Sequence, residues 1–405
     1  MRLAVVSPFI DRRHGTERVV LEQLKRLARD YQCEIHLYAQ RVADLEVVHP
    51  SERRDETKGV IFWHRVSSIP GPHLIQYLWW FAANTLHRLW DRSIRGLRPD
   101  LIYSPGINLR NADVIAVHIV FQAFFQRVRH QLTFARERPA RWPLLLHRRL
   151  YYQLIMFLER RIYSRKSVKL AVVAQVVSDQ ISEFFGRTDA VVIRNGVDVE
   201  RFSKEICGER RSAARERFRL APGDFALLLI GNDWKKKGLE ALLVAIAASK
   251  DLPVKLLVVG EDDRSGFEQQ ARSLCVFERL QFHSPSDDVV QFYSAADAYV
   301  APSLEDAYGL PIVEAMASGL PVVVSVRAGA SEIIRDGVDG MLLQDPEDAS
   351  EIAACVRRIA SDPEFRNQLG RSAATAVQEQ TWDRNAEAVW KLLTGLSVRG
   401  HASRV

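Results

Sequence analysis

Asp306 and Glu314 are carboxylates eight positions apart in the run AYVAPSLEDAYGLPIVEAMASGLPVVVS, residues 298–325, which reads as strand, acidic glycine-containing loop, short helix and strand. Pro311 suits a first helical turn, where its missing N–H is no loss, and Gly319 suits the left-handed residue that ends a helix. The positive end of that helix, lying at the carboxyl end of the preceding strand, is a natural place for phosphate. Carboxylates repel phosphate, so the work divides. Backbone N–H groups from Tyr308 to Ile312, those of Gly309 and Leu310 among them, hold the anion, while Asp306 and Glu314 accept hydrogen bonds from hydroxyls of an attached sugar. This is the chemistry of sugar-nucleotide binding. An ordinary strand–helix–strand crossover with two solvated acids is the competing reading of the segment alone.

The elements that must position these residues are apolar runs alternating with helical patterns: RLAVVSPF, CEIHLYAQ, DLIYSPG, VIAVH, KLAVVAQ, AVVIRNG, FALLLIGN, VKLLVVGED, AYVAPS and PVVVS. Such alternation implies an α/β fold with parallel sheets covered on both faces. At 405 residues the chain is long for one domain and natural for two. One strand–helix series occupies residues 1–194 and a second follows the charged segment Arg201–Gly223, with the hinge expected near Asn195 to Arg219. The expected parts are an N-terminal domain at 1–194, a second domain at 195–378, and a C-terminal helix and tail at 379–405. In that helix Trp382, Ala386, Val389, Trp390 and Leu393 recur at helical spacing, which predicts a buried face.

The chain opens directly on the strand RLAVVSPF, without the pattern of a signal peptide. The longest apolar region, LIQYLWWFAA at 74–83, falls well short of the ~20 residues that span a membrane. Cys33, Cys207, Cys275 and Cys355 are too widely separated for a zinc or redox pair and read as reduced, mostly buried thiols. A cytoplasmic location is therefore expected. The formal net charge of +6 is concentrated between Arg127 and Lys169, where only Glu137 and Glu159 oppose twelve basic residues. Phe121, Phe124, Phe125, Phe134, Trp142, Tyr151 and Tyr152 are interleaved with them, a mixture suited to the headgroup layer of an anionic membrane, so residues 121–169 predict a peripheral surface contact. Solvated arginines flanking core aromatics are the alternative. Nucleic acid is disfavoured, since no nucleic-acid module accompanies the charge.

Taken in order, HGTERVV (14–20), VIAVH ending at His118, VIRNGVDVERF (192–202), GNDWKKKGLEALLVAI (231–246), VVGED (258–262), SAADAYVAPS (294–303) and the D-x7-E segment resemble the GT-B glycosyltransferases. The resemblance is to the retaining GT4 family, which includes bacterial lipopolysaccharide-core glucosyltransferases and phosphatidylinositol mannosyltransferases, and it spans nearly the full chain. It implies two doubly wound Rossmann-like domains facing across a cleft, with the C-terminal helix crossing back to the first.

The resemblance also assigns residues. Lys236 and Lys237 lie in a loop between a strand and a helix, within reach of a diphosphate, and Lys237 matches the lysine that neutralises the departing nucleoside diphosphate. Asp306 matches the first acid of the family's E-x7-E pattern and is expected on the donor sugar, with Glu314 on the ribose. His118 matches a histidine that touches the sugar. Gly15 permits close backbone approach to a helix beginning near Glu17, and His14, standing where relatives have a second glycine, either lines the acceptor side or narrows the loop. The other departures are Asn232, where many relatives have arginine, Ser284 for a glycine in the base loop LQFHSPSDD (280–288), and Asp306 for glutamate. The last either alters donor preference or is compensated by Glu305.

The implied reaction moves a hexose from a UDP- or GDP-sugar to a hydroxyl of a lipid-linked, lipopolysaccharide or other glycan acceptor, with retention. Leaving-group stabilisation by the lysines and helix-end N–H groups dominates. No metal and no cofactor is then expected, the nucleotide sugar being substrate. A sugar-nucleotide epimerase or a phosphorylase of the same architecture, and a non-catalytic scaffold, are the rival classes.

Overall fold

The structure, a computed structural model, describes residues 1–12, 14–52, 57–128 and 142–402. The chain divides into two compact units, Met1–Arg194 with Asp383–Val405, and Asn195–Trp382.

In the first unit the chain runs β1 (Arg2–Val6), β2 (Phe9–Ile10), α1 (Gly15–Arg29), β3 (Glu34–Ala39), β4 (Arg41–Val42), β5 (Ile61–Arg65), α2 (His73–Ile94), β6 (Leu101–Pro105), β7 (Val114–Val117), α3 (Phe121–Val128), α4 (Trp142–Tyr163), β8 (Lys169–Val172), α5 (Gln175–Phe185) and β9 (Val191–Val192). Seven of these strands form one sheet in the order β5-β3-β1-β6-β7-β8-β9. Every pairing in it is parallel, as the apolar runs predict, and Leu3, Val5, Ile35, Leu37, Val114 and Leu170 are fully buried. Helix α1 begins at Gly15, two residues before the expected start.

The second unit contains α6 (Lys204–Arg217), β10 (Phe225–Ile230), α7 (Leu239–Ala248), β11 (Val254–Val259), α8 (Ser265–Ser273), β12 (Leu280–His283), α9 (Val290–Ala295), β13 (Ala298–Ala301), α10 (Leu310–Ala317), β14 (Val322–Ser325), β15 (Met341–Leu343), α11 (Ala349–Ser361) and α12 (Pro363–Ala376). Its six-stranded parallel sheet has the order β12-β11-β10-β13-β14-β15. Residues 280–283 of the expected base loop are thus strand β12, and the loop itself begins at Ser284.

The last helix, α13 (Trp382–Ala402), returns the chain to the first unit. Val389 and Leu393 enter that unit's core, Trp390 stacks on Tyr31 with ring centroids 5.0 Å apart, and the buried Gln23 donates to Asn385 Oδ1 at 3.0 Å. The expected buried face is the one observed.

In each sheet the strand order reverses direction once, between β1 and β6 in the first unit and between β10 and β13 in the second. Loops leaving the carboxyl ends of two such strands diverge to opposite faces and leave a crevice between them. Both sets of expected site residues follow these strands or their immediate neighbours.

Among the described residues no helix is long and apolar enough to cross a membrane. Of the basic and aromatic stretch, Arg129, Phe134, Arg136, Glu137, Arg138 and Arg141 lie outside the described residues. Phe121, Phe124, Phe125 and Tyr152 pack on one another, with centroids 5.8–6.3 Å apart, so these aromatics join α3 to α4 rather than facing outward. Cys33, Cys207 and Cys355 are buried free thiols, and Cys275 is exposed.

Candidate functional site

In the second unit the loop after β10 carries the three lysines and the loop after β13 carries the acids. Gly238, at φ +77°, starts α7 against the end of β13, where a Cβ would lie 1.9 Å from the Pro302 carbonyl oxygen. Only glycine allows that approach, which brings the two loops together at the crevice. Lys237 donates through Nζ to Asp306 Oδ2 at 2.5 Å, with both side chains mostly buried. Lys236 turns instead to its own loop and pairs with Asp233 at 2.6 Å. Lys236 meets the acidic loop through its carbonyl, which accepts the Leu304 N–H at 2.8 Å, whereas Lys237 meets it through its ammonium.

That loop is held by main-chain pairing. The N–H groups of Gly329 and Ala330 donate to the carbonyls of Asp306 (2.9 Å) and Tyr308 (2.7 Å), and the buried Tyr308 hydroxyl donates to the Asn195 carbonyl at 3.0 Å. Gly309, at φ +92°, caps α10, and Pro311 stands in its first turn as expected. At the other end Gly319 (φ +73°) and Leu320 donate to the carbonyls of Met316 and Ala315, which closes the helix with a left-handed cap. The anion cradle is narrower than expected. Pro311 has no N–H, and the N–H of Ile312 donates to the Gly309 carbonyl at 2.9 Å, so these two positions of the expected range supply no donor. Glu314 is 3% exposed inside α10, and its Oε2 accepts from the buried Tyr293 hydroxyl at 2.7 Å. Tyr293 was not foreseen: nothing in the run YSAADAYV distinguishes a tyrosine that holds a carboxylate from one that fills a core.

Asn232 is also more than a missing arginine. Its Oδ1 accepts the N–H of Glu261 at 2.9 Å and ties the ends of β10 and β11. Asp262 Oδ2 accepts the N–H of Trp234 at 2.8 Å, and Asp263 Oδ1 accepts from the hydroxyl of Ser265 at 2.7 Å, so both acids brace turns.

In the first unit a cavity of about 370 Å3 opens at the carboxyl ends of β1, β6 and β7, lined among others by Glu17, Tyr77, Gly106, Asn108 and His118. His118 follows β7 as expected. Its Nε2 is buried without a hydrogen-bond partner, and burial lowers the imidazole to about 4, so the ring is neutral at pH 7 and offers one donor and one acceptor. Gly15 lies under open space, since a Cβ there would meet nothing within 4 Å. His14 turns away to Asp11 at 2.9 Å. Glu17, within the quoted HGTERVV run but given no role there, lines the cavity, and burial raises its carboxyl above the ordinary range. Asn108, also unforeseen, donates to the Pro105 carbonyl at 2.7 Å and accepts from the Trp80 indole at 2.9 Å, which fixes α2 against the cavity rim.

Residues 210–376, which include Lys237, Asp306 and Glu314, match the family described as Glycosyl transferases group 1. A D-inositol 3-phosphate glycosyltransferase of Actinosynnema mirum is 32% identical over 237 residues, 55% of this chain and 56% of that protein. One from Corynebacterium jeikeium is 30% identical over 60% of this chain and 61% of its own length. The chain thus spans about half the length of the curated relatives it matches. Among solved structures, WaaG, a glycosyltransferase involved in lipopolysaccharide biosynthesis, superposes with a TM-score of 0.77 at 19% identity, covering 97% of this chain and all of WaaG. Anabaena HepE in complex with UDP-glucose gives 0.71 at 18% identity over 98% of this chain and 100% of HepE. Residues 210–376 are therefore a glycosyl transferases group 1 domain, in a chain with the two-unit fold of the GT-B glycosyltransferases.

Proposed function

We propose that the chain is a retaining glycosyltransferase that moves a hexose from a UDP- or GDP-sugar to a hydroxyl of a lipid-linked or other glycan acceptor. The observation that carries this reading is the meeting of Lys237 and Asp306 at the switch point of the second sheet. A cation for a diphosphate and a carboxylate for sugar hydroxyls stand side by side, beside the N–H groups that open α10. When a donor enters, its diphosphate takes over the Lys237 ammonium, and the released Asp306 carboxylate accepts from the sugar. Negative charge that builds on the leaving diphosphate then meets a preorganised ammonium and backbone donors. With that charge supplied by the protein, the reaction is proposed to need no metal. Glu314, held by Tyr293, is assigned to the ribose, and His118, at the first unit's cavity, to sugar hydroxyls. The relatives named for transfer to D-inositol 3-phosphate and the UDP-glucose complex of HepE support the reaction class.

The test is a transfer and donor-hydrolysis assay on wild type, Lys237→Ala and Glu314→Ala, with the anomeric configuration of the product read by NMR. Equal activity in all three proteins would sink the assignment, and an inverted anomer would remove the retaining mechanism. Formation of an epimerised nucleotide sugar without acceptor would instead favour the epimerase.

A peripheral contact with an anionic membrane is proposed as well. Leu146, Leu150 and Phe157 project from α4 at helical spacing and are about half exposed, flanked by the exposed Arg148, Arg160 and Arg161. Sedimentation with anionic vesicles should fall as salt rises, and neutral vesicles should retain little protein.

A further inference from the structure

The first unit holds a cluster of buried polar side chains that the proposed transfer does not use. Glu34 and His36 on β3, His64 on β5 and Asp91 on α2 form a chain of close contacts. Glu34 Oε1 lies 2.9 Å from His36 Nε2, His36 Nδ1 lies 2.8 Å from His64 Nε2, and His64 Nδ1 lies 2.7 Å from Asp91 Oδ2. Asp91 is fully buried, and His64 is 2% exposed.

Proton counting shows that the chain is incomplete. There are three gaps in series, each needing one proton between two lone pairs, and two neutral imidazoles carry one N–H each. Whichever tautomers are chosen, one gap is left with lone pair facing lone pair. Geometry selects which. The first two contacts are hydrogen bonds, whereas His64 Nδ1 has no hydrogen-bond partner despite its short distance to Asp91. With His36 donating to Glu34 and His64 donating to His36, the Nδ1 lone pair of His64 points at a carboxylate in a site without solvent. Asp91 Oδ1 is likewise without a hydrogen-bond partner, though the Arg95 guanidinium stands 3.2 Å away, stacked on Trp90. The contact between His64 Nδ1 and Asp91 Oδ2, 2.7 Å without a hydrogen bond, is the place in the chain where a cation would sit.

A third donor is in place. His87, one helical turn before Asp91, brings Nε2 to 3.8 Å from Asp91 Oδ2, and the three ligand atoms all lie within 4.8 Å of one another. Tetrahedral zinc holds N and O donors roughly 3.4 Å apart, a spacing that 2.7 and 3.8 Å bracket. The outer contacts are also those of a metal site. His64 is oriented through its far nitrogen by His36 and Glu34, and the Tyr38 hydroxyl donates to Asp91 Oδ2 at 2.9 Å.

We propose that His64 Nδ1, His87 Nε2 and an Asp91 carboxylate oxygen bind one divalent transition-metal ion of the zinc type, which fastens the C-terminal half of α2 to strand β5. Two imidazoles and a carboxylate suit zinc or cobalt(II) rather than calcium or magnesium, and three protein donors leave a fourth position to water. The site belongs to the first unit and is independent of the donor chemistry assigned to Lys237 and Asp306.

The test uses the full chain, stripped with a chelator and titrated with Co2+ and then Zn2+. One Co2+ per chain with the visible bands of a four-coordinate ion, displaced by Zn2+, is the expected result. His87 is partly exposed, so His87→Ala should keep its circular dichroism and melting profile while Co2+ binding weakens by more than about tenfold, the loss that even an outer-shell change produces. His49→Ala, at an exposed histidine outside the cluster, should bind as wild type does. Absence of the Co2+ bands in wild type at tenfold excess metal overturns the proposal, as do bands of wild-type strength in folded His87→Ala. Zinc content by mass spectrometry on the gel-filtered protein gives a second readout with the same two outcomes.

Discussion

At the scale of single residues, Lys237 and Asp306 must be separated from each other by experiment, because each neutralises the other in a mostly buried setting. Lys237→Ala removes the ammonium and leaves a carboxylate without its cation, so the single change loses both chemistry and stability. The double variant Lys237→Ala with Asp306→Asn removes the stranded charge. Its melting temperature should recover toward wild type while kcat stays lower by about a hundredfold or more, the usual loss of one preorganised donor. Lys236→Ala, whose side chain pairs with Asp233 in its own loop, should stay within a few-fold of wild type. Recovery of kcat in the double variant would make the pair structural rather than catalytic. Lys237, Asp306, Glu314 and His118 are legible in the sequence because each sits at a fixed offset from a strand end or a helix-bounding proline or glycine. Tyr293, Glu17 and Asn108 are not, since their importance comes from a partner or a cavity wall that the fold supplies. The Glu34–His36–His64–Asp91 chain is the extreme case: its members span two strands and a helix, and no spacing along the chain announces it.

At the scale of elements, the parallel strands were legible wherever apolar residues ran unbroken, as in FALLLIGN and VKLLVVGED. Strand β5, IFWHR, is not among those runs, since only Ile61–Trp63 are consecutive apolar residues before His64 and Arg65, and β9 is only two residues long within the expected AVVIRNG. Loop glycines differ in what they permit, and the difference is measurable. Gly238→Ala would drive a Cβ into the Pro302 carbonyl at a positive φ, so it should destabilise the second unit by about 3 kcal/mol or more in urea titration. Gly15→Ala faces open space at the start of α1 and should change stability by no more than about 0.5 kcal/mol. If ligand approaches that backbone closely, the same variant raises KM; an unchanged KM would reduce Gly15 to a helix start. Helix α3 shows a second use of a buried acid. Glu159 on α4 accepts the N–H groups of Phe121 at 2.7 Å and Gln122 at 3.1 Å, standing in for a cap, and burial raises its carboxyl to about 7. A carboxyl that holds its proton more tightly folded than unfolded favours the fold at low pH. Its contribution is therefore full below about 4.5 and is lost as pH rises through about 7, amounting to ~3 kcal/mol at most. Urea titrations at pH 5 and pH 8 should show that difference in wild type and a smaller one in Glu159→Gln.

At the scale of the whole molecule, the chain leaves the first unit at Arg194 and re-enters it at Asp383, so the integrity of that unit depends on residues at both ends of the sequence. Helical spacing of Trp382, Ala386, Val389 and Leu393 makes the last helix and its buried face legible, and the structure shows which core receives it. Val389 and Leu393 are 2% and 0% exposed among the side chains of β1, β3 and α1, and Asn385 bridges Gln23 to the Arg194 carbonyl. Truncation after Trp382 would expose the surfaces that Val389 and Leu393 cover, about 1.5–3 kcal/mol for each. It would also leave Gln23, 4% exposed, without its partner on Asn385. Those losses are a large part of the ~5–15 kcal/mol by which a domain is stable. The second unit keeps its own sheet and core, since Phe225, Leu227, Leu256 and Val300 are buried within residues 195–382. Limited proteolysis of the truncated chain, read by mass spectrometry, should therefore place early cuts throughout residues 1–194 and leave 195–382 protected. Equal protection of both units would show that α13 is dispensable to the first. Early cuts in both would show that the second unit draws its stability from the first and not from its own core.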